Sequence, residues 1–140
     1  MNAMKAKSNI SYKVLNALFC EDARKDKDEK DILVGVLSGY IYVSHFPARI
    51  PLSVWLNVEI KGRGKKEVEV RILVDRKQVT RGSFKMEKKE KDSEATLSLS
   101  TPKAVVPIDK PGTLKFQIRL DSGRWKDIIR KPIMAIPGED

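Results

Sequence analysis

Cys20, Asp22, Arg24 and His45 are the residues whose types fit nucleophilic chemistry. A thiol at a strand end, a histidine to take its proton and an aspartate to orient the imidazole would activate a cysteine nucleophile. Such a site needs its base within hydrogen-bond reach and donors for an oxyanion. The chain has one histidine, which makes many enzyme classes hard to build. The simpler reading is that Cys20 is a small buried hydrophobe, that Asp22 and Arg24 pair to order a loop, and that His45 lies on the surface. The expectation is no enzyme, with a thiol enzyme at Cys20 as the third-ranked reading.

A second group is acidic. Asp26, Asp28, Glu29 and Asp31 suggest a calcium loop, but the central glycine and terminal bidentate glutamate do not fall at the required spacing. Lys25, Lys27 and Lys30 interleave with them and cancel the field. Neither a metal nor another cofactor is expected.

Charge is the better-defined signal. The net charge is +9, and the window from Lys61 to Lys91 holds twelve basic and five acidic residues, so +7 of that +9 sits there. A field of this kind favours anionic partners. Lys61, Arg63, Lys65, Lys66, Arg76, Lys77 and Arg81 are the candidate contacts to nucleic-acid phosphates or an acidic protein face. The competing reading is a hairpin whose lysines serve solubility and block edge pairing. Sequence-neutral single-strand binders interleave aromatic residues for stacking, and this window has only Phe84. Nucleic acid therefore ranks below protein as a partner.

Trp55 falls on the polar phase of its strand, and Trp125 follows a hairpin turn. Exposed tryptophans anchor protein interfaces, so both are candidate interface residues. The alternative is that both pack within the fold.

The elements that must carry these residues read as strands. Ile10–Phe19 is nearly continuously apolar, as in a strand covered on both faces. Glu21–Asp31 is charged and is expected to be a solvated loop. Ile32–Leu37 contains Gly35, which marks a bulge or a close backbone approach. Tyr40–Val43 follows. His45–Pro51 is expected to be a kinked connector, because Pro47 and Pro51 oppose a central strand. Val54, Leu56, Val58 and Ile60 alternate with polar residues, as do Val68–Val74 and Leu114–Leu120. Val79–Met86, Ala95–Leu99 and Arg124–Ile136 complete the pattern. Glu87–Asp92 reads as a charged tip. Val105–Val106 reads as a short edge strand kept out of a ladder by its flanking prolines.

The expected fold is all-β, a two-layer antiparallel β-sandwich, Ig-like in outline, with about eight or nine strands. A closed barrel is the alternative. The length suits one domain over residues 10–136, with a loose leader over 1–9 and a tail over 137–140. One cysteine cannot form an internal disulfide, Met1–Ser11 has no apolar run, and no segment has the ~20 apolar residues a membrane helix needs. The expected location is cytoplasmic, without a membrane partner.

Cys20-Glu21-Asp22-Ala23-Arg24 follows an apolar strand. It is succeeded by the Gly35-centred strand Lys30–Gly39 and by Phe46-Pro47-Ala48 and Ile50-Pro51-Leu52. This order, over roughly the first 60 residues, resembles a family of small, uncharacterised bacterial and phage-associated proteins. The resemblance implies an Ig-like sandwich and no activity. It makes Cys20, Asp22, Arg24, Gly35 and Pro47 structural marks. The expected function is a non-enzymatic binding module for another protein or for assembly, including a homo-oligomer. The alternative is nucleic-acid binding through the basic hairpin Lys61–Lys91.

Overall fold

In the computed structural model, residues 9–88 and 95–137 are described, and they contain ten β-strands and no helix. The strands are β1 (Ser11–Lys25), β2 (Asp31–Leu37), β3 (Ile41–Val43), β4 (Ala48–Lys61), β5 (Gly64–Val74), β6 (Lys77–Lys88), β7 (Ala95–Ser100), β8 (Ala104–Ile108), β9 (Gly112–Leu120) and β10 (Lys126–Ala135). The first sheet has the order β2-β1-β4-β7, with β8 also paired to β4. The second has the order β3-β10-β9-β5-β6. No helix of the described residues is long and apolar enough to cross a membrane.

The alternation in the sequence explains the layering. Val54, Leu56, Val58 and Ile60 of β4 are buried, as are Val68, Val70 and Ile72 of β5 and Leu114, Phe116 and Ile118 of β9. These rows meet in one hydrophobic core built from both sheets. Burying alternate aliphatic side chains is the main favourable contribution to such a fold, and the opposite faces stay polar.

Several expectations need correction. The charged stretch after Cys20 is not a loop to Asp31: β1 runs on through Lys25 and pairs with β2, and only residues 26–30 turn. Charge opposes burial, but it does not oppose backbone pairing in a two-stranded extension. Asp26 organises the turn, its Oδ1 accepting from the N–H groups of Asp28 (2.8 Å) and Lys30 (2.9 Å). The connector His45–Pro51 is also partly strand, since Ala48–Leu52 pairs with Ala104–Ile108. Pro51 is tolerated because β1 pairs with β4 only from Ser53 onward, so β4 has a single neighbour there. By the same pairing, Val105–Val106 does join a ladder despite Pro107. The sandwich is not purely antiparallel, because β3 runs parallel to β10. Glu87 and Lys88 end β6, while the rest of the expected tip, residues 1–8 of the leader and 138–140 of the tail lie outside the described residues. Asn9 belongs to the fold: its N–H donates to Arg63 O (3.0 Å), and its Oδ1 accepts from the Arg63 N–H (2.6 Å).

β7 and β8 form one kinked edge along β4. At the kink Thr101 replaces a ladder residue, its N–H donating to Val54 O (2.9 Å) and its hydroxyl accepting from the Val54 N–H (2.8 Å). On the other side of the same sheet, the Asp31 carboxylate meets the Ser98 hydroxyl of β7 and the Trp55 indole of β4. Strand β2 is two strands away from β4 in the sheet order, so the distal half of the β1–β2 hairpin leans over the sheet's outer side.

Candidate functional site

The outward face of the second sheet gathers the groups with the most unusual surroundings. Trp125 follows a tight turn in which Asp121 (φ 45°) and Ser122 (φ 62°) both take left-handed conformations and Gly123 N–H donates to Leu120 O (2.8 Å). Such a turn matches the twist of the flanking strands. The Asp121 carboxylate locks it to β5, accepting from the Glu67 N–H (3.2 Å). The turn delivers the indole onto three guanidinium groups. The Arg71 carbon lies 4.1 Å from the ring centroid, that of Arg119 4.5 Å and that of Arg81 5.7 Å. Each is within cation–π range.

Pairing between strands explains the convergence. Arg71 of β5 stands opposite Arg81 of β6 and Gln117 of β9, and Glu69 stands opposite Arg119. Glu69 is the carboxylate of the cluster: Arg119 donates to its Oε2 through Nε (2.9 Å) and Nη2 (2.7 Å), and Arg81 Nη2 donates to the same oxygen. Among the described residues no carboxylate pairs with Arg71. Its Nε donates to Gln117 Oε1 (2.7 Å), and Gln117 Nε2 donates to Asp127 Oδ1 (2.6 Å). Burial first, then the charges of Arg119 and Arg81, push the Arg71 guanidinium below its ordinary value. Glu69 holds two of the three cations, and the third, Arg71, stacks on the indole. A half-buried surplus of positive charge of this kind attracts anions.

Glu69 has the complementary shift. Hydrogen bonds from Arg119 hold its carboxyl below the ordinary glutamate value; burial opposes them, and Arg81 adds to them. A folded-state value lower than the unfolded one means that this contribution to stability is present above the unfolded pKa and is lost as pH falls through the folded one. Glu69→Gln is therefore expected to destabilise the protein at neutral pH, and the difference from wild type should shrink below about pH 4.5. Urea melts at neutral and acid pH measure this, and a difference independent of pH would refute it.

The other candidates are placed differently. Cys20 is fully buried, its Sγ 3.7 Å from Ser53 O. Burial, then the Asp22 charge, raises its pKa, which disfavours the thiolate. Asp22 pairs with Arg24. His45 is exposed on the β3–β4 connection beside Tyr42 and Arg49, and no contact joins it to Cys20. The supposed triad is not assembled. Cys20 is expected to resist alkylation in the native protein and to react once urea unfolds it; labelling followed by mass measurement distinguishes the two. Gly35 (φ 65°) lies against Glu21, whose Cδ would be 2.7 Å from a Cβ at that position. What approaches the glycine is this side chain and not another backbone. Pro47 follows a cis peptide bond.

Trp55 is half buried, and its Nε1 is covered and completes no hydrogen bond of normal geometry. Its polar neighbour is Asp31. Burial alone would raise the Asp31 pKa, but Ser98, Trp55 and Lys25 together hold it below the ordinary aspartate value. Trp55 is thus part of a packed polar layer rather than an open anchor. Of the basic residues singled out from the sequence, Arg81 joins the Trp125 cluster. Lys61 pairs with Glu59 (3.6 Å), and Lys77 and Arg76 stand at the β5–β6 turn. Arg63 and Lys65 lie at the opposite end of that hairpin, with Lys66 opposite Met86. Sequence reading had not singled out Arg119, Glu69 or Gln117.

None of the curated proteins matches the chain. A family model does match, over residues 15–128, which takes in the β1–β2 hairpin, the basic β5–β6 hairpin and Trp125. That is well over half of the sequence, so the chain belongs to the family of unknown function DUF6941.

Proposed function

We propose that the chain is a non-catalytic binding module, Ig-like in outline, that engages an acidic protein partner through the outer face of its second sheet. The observation that carries this reading is the packing of Arg71, Arg81 and Arg119 around Trp125 with one carboxylate between them. Tryptophan and arginine are the residue types that dominate interface energetics. The glutamate within the cluster marks where a partner's carboxylate would add. A cytoplasmic setting is part of this reading, since a single cysteine forms no internal disulfide.

The test uses immobilised polyglutamate and a single-stranded oligothymidylate as probes, with retention followed across a salt series. Arg71→Ala is compared with a charge-matched control, Lys13→Ala, at an exposed position on β1 of the other sheet. An acidic-protein site predicts that polyglutamate binding falls roughly tenfold with Arg71→Ala and is nearly unchanged by the control. Equal loss in both variants would reduce the attraction to bulk charge. Tighter retention on the oligothymidylate, with a steep salt slope, would instead favour the nucleic-acid reading.

A second reading, self-association, is favoured by β2. This edge strand exposes Ile32 (40%), Val34 (45%) and Val36 (45%), and an apolar edge invites pairing with another chain. Val34→Lys should abolish any dimer seen by sedimentation; a monomeric wild type removes this reading.

A further inference from the structure

The side of the sandwich between β6 and the β7–β8 edge is open. Among the described residues β6 pairs only with β5, and β7 and β8 only with β4. Each edge therefore presents a row of backbone N–H and C=O groups with no strand beside it. Two clefts lie between the edges. One, of about 340 Å³, opens between Thr80–Ser83 and Thr101–Ala104 and reaches Val70, Ile72 and Phe116 of the core. The other, of about 280 Å³, continues the line between the β5–β6 turn and Pro107–Lys110.

Gly82 stands at the β6 lip of the larger cleft, opposite Val70. A Cβ there would meet only Val70 Cγ2, at 3.7 Å, an ordinary contact. Residue 82 puts no side chain into the cleft, and the backbone there does not require glycine. Charge marks the occupant. Arg71, Arg81 and Lys103 border the first cleft, whose lining holds no acidic residue, and Arg81 also pairs with Glu69 on the outer face. Arg76, Lys77 and Lys110 border the second, against Asp75 and Asp109. Asp75 is engaged within the fold, accepting from the Thr113 N–H (2.9 Å).

The geometry points to an extended acidic peptide segment of a partner, apolar at every second residue, adding to β6 as a further strand. Side chains alternate across a strand, so its apolar residues enter the slot over Gly82 and its carboxylates fall beside Arg81. Strand addition takes affinity from main-chain hydrogen bonds and specificity from pockets for alternate side chains. The basic residues Lys77, Arg81 and Lys85 on β6 oppose pairing with the β6 of a second copy, where like charges would meet, and favour an acidic segment. The inference rests on the proposed function for the sign of the partner's charge.

The test measures anisotropy of labelled peptides of about ten residues against the full chain at about 50 mM salt. One peptide alternates valine and glutamate, a second alternates valine and lysine, and a third carries proline at alternate glutamate positions. The acidic peptide should bind, and neither of the other two should. Gly82→Val should weaken binding roughly tenfold or more without lowering the melting temperature. Unchanged binding to Gly82→Val, or equal binding of the proline peptide, overturns strand addition at β6. So does self-association that Gly82→Val abolishes, since the occupant would then be a second copy. In each case loss of binding in Trp125→Ala would leave the arginine site standing. If Gly82→Val weakens binding and Trp125→Ala does not, the slot stands and the arginine site falls.

Discussion

Phe116→Ala should cost about 3–5 kcal/mol of folding stability and lower the melting temperature by roughly 10–25 °C. Phe116 is 1% exposed and sits on the central strand of the second sheet, opposite Ile72 of β5 and Ile129 of β10. Truncating it removes the buried ring from water-excluded contact and leaves a cavity that the two neighbouring strands cannot close without breaking their ladders. The cost is set by how far the walls relax, and here one wall is open: the larger cleft reaches this residue. Water entering through it would place the effect toward the lower end of the range. The control is Val105→Ala on the outward face of β8, where the side chain is 61% exposed and the change should stay within about 0.5 kcal/mol. Urea melts of both variants decide the matter. A Phe116→Ala protein as stable as wild type would mean that the two sheets do not enclose this ring.

That core was legible in the sequence because period-2 alternation states which side chains share a face. Val54–Ile60, Val68–Ile72 and Leu114–Ile118 face as their patterns require, whereas Leu73, on the outward phase, is buried beside the register shift between Ile72 and Leu73. The failures at β1, β4 and β8 have a common cause, which is reading polarity or proline as evidence against pairing. Glu21–Lys25 pairs because a hairpin extension can be solvated on its faces and still satisfy its backbone. Pro51 and Pro107 sit in a ladder because the missing N–H falls where one side has no neighbour.

The candidate site was legible in halves. Hairpin geometry alone sets Arg71 near Arg81 across the Asp75–Arg76 turn, and the shift between Ile72 and Leu73 brings them into register. The Asp121–Ser122 turn likewise sets Trp125 near Arg119, two residues beyond the Asp127–Gln117 pair. What no pattern could supply is that β9 lies beside β5, because alternation fixes faces and leaves strand neighbours open. Without that neighbour the basic window appeared to lack an aromatic partner, and Trp125 appeared to lack charge. With it they are one site. The low rank given to nucleic acid rests on counting aromatic residues along the sequence, whereas stacking depends on neighbours in space.

Trp125→Ala is expected to leave the fold intact and to weaken binding of the acidic peptide by about 2 kcal/mol or more, roughly thirtyfold. The indole is half buried over three guanidinium groups, and each such contact is worth about 0.5–2 kcal/mol depending on desolvation. Its larger role is organisation. Among the described residues no carboxylate holds Arg71, and with the ring gone Gln117 is the partner left there to restrain it beside two like charges. The freed side chain would then have to be ordered again at each binding event. Trp125→Phe keeps a weaker ring and should fall between wild type and alanine. The double variant Trp125→Ala with Arg71→Ala should lose less than the sum of the two single losses, because the indole acts largely through that guanidinium. Additive losses would mean that the tryptophan touches the ligand independently of Arg71. A Trp125→Ala protein that binds the acidic peptide as wild type does would show that the three arginines hold their places without it, and the proposed site would lose its centre.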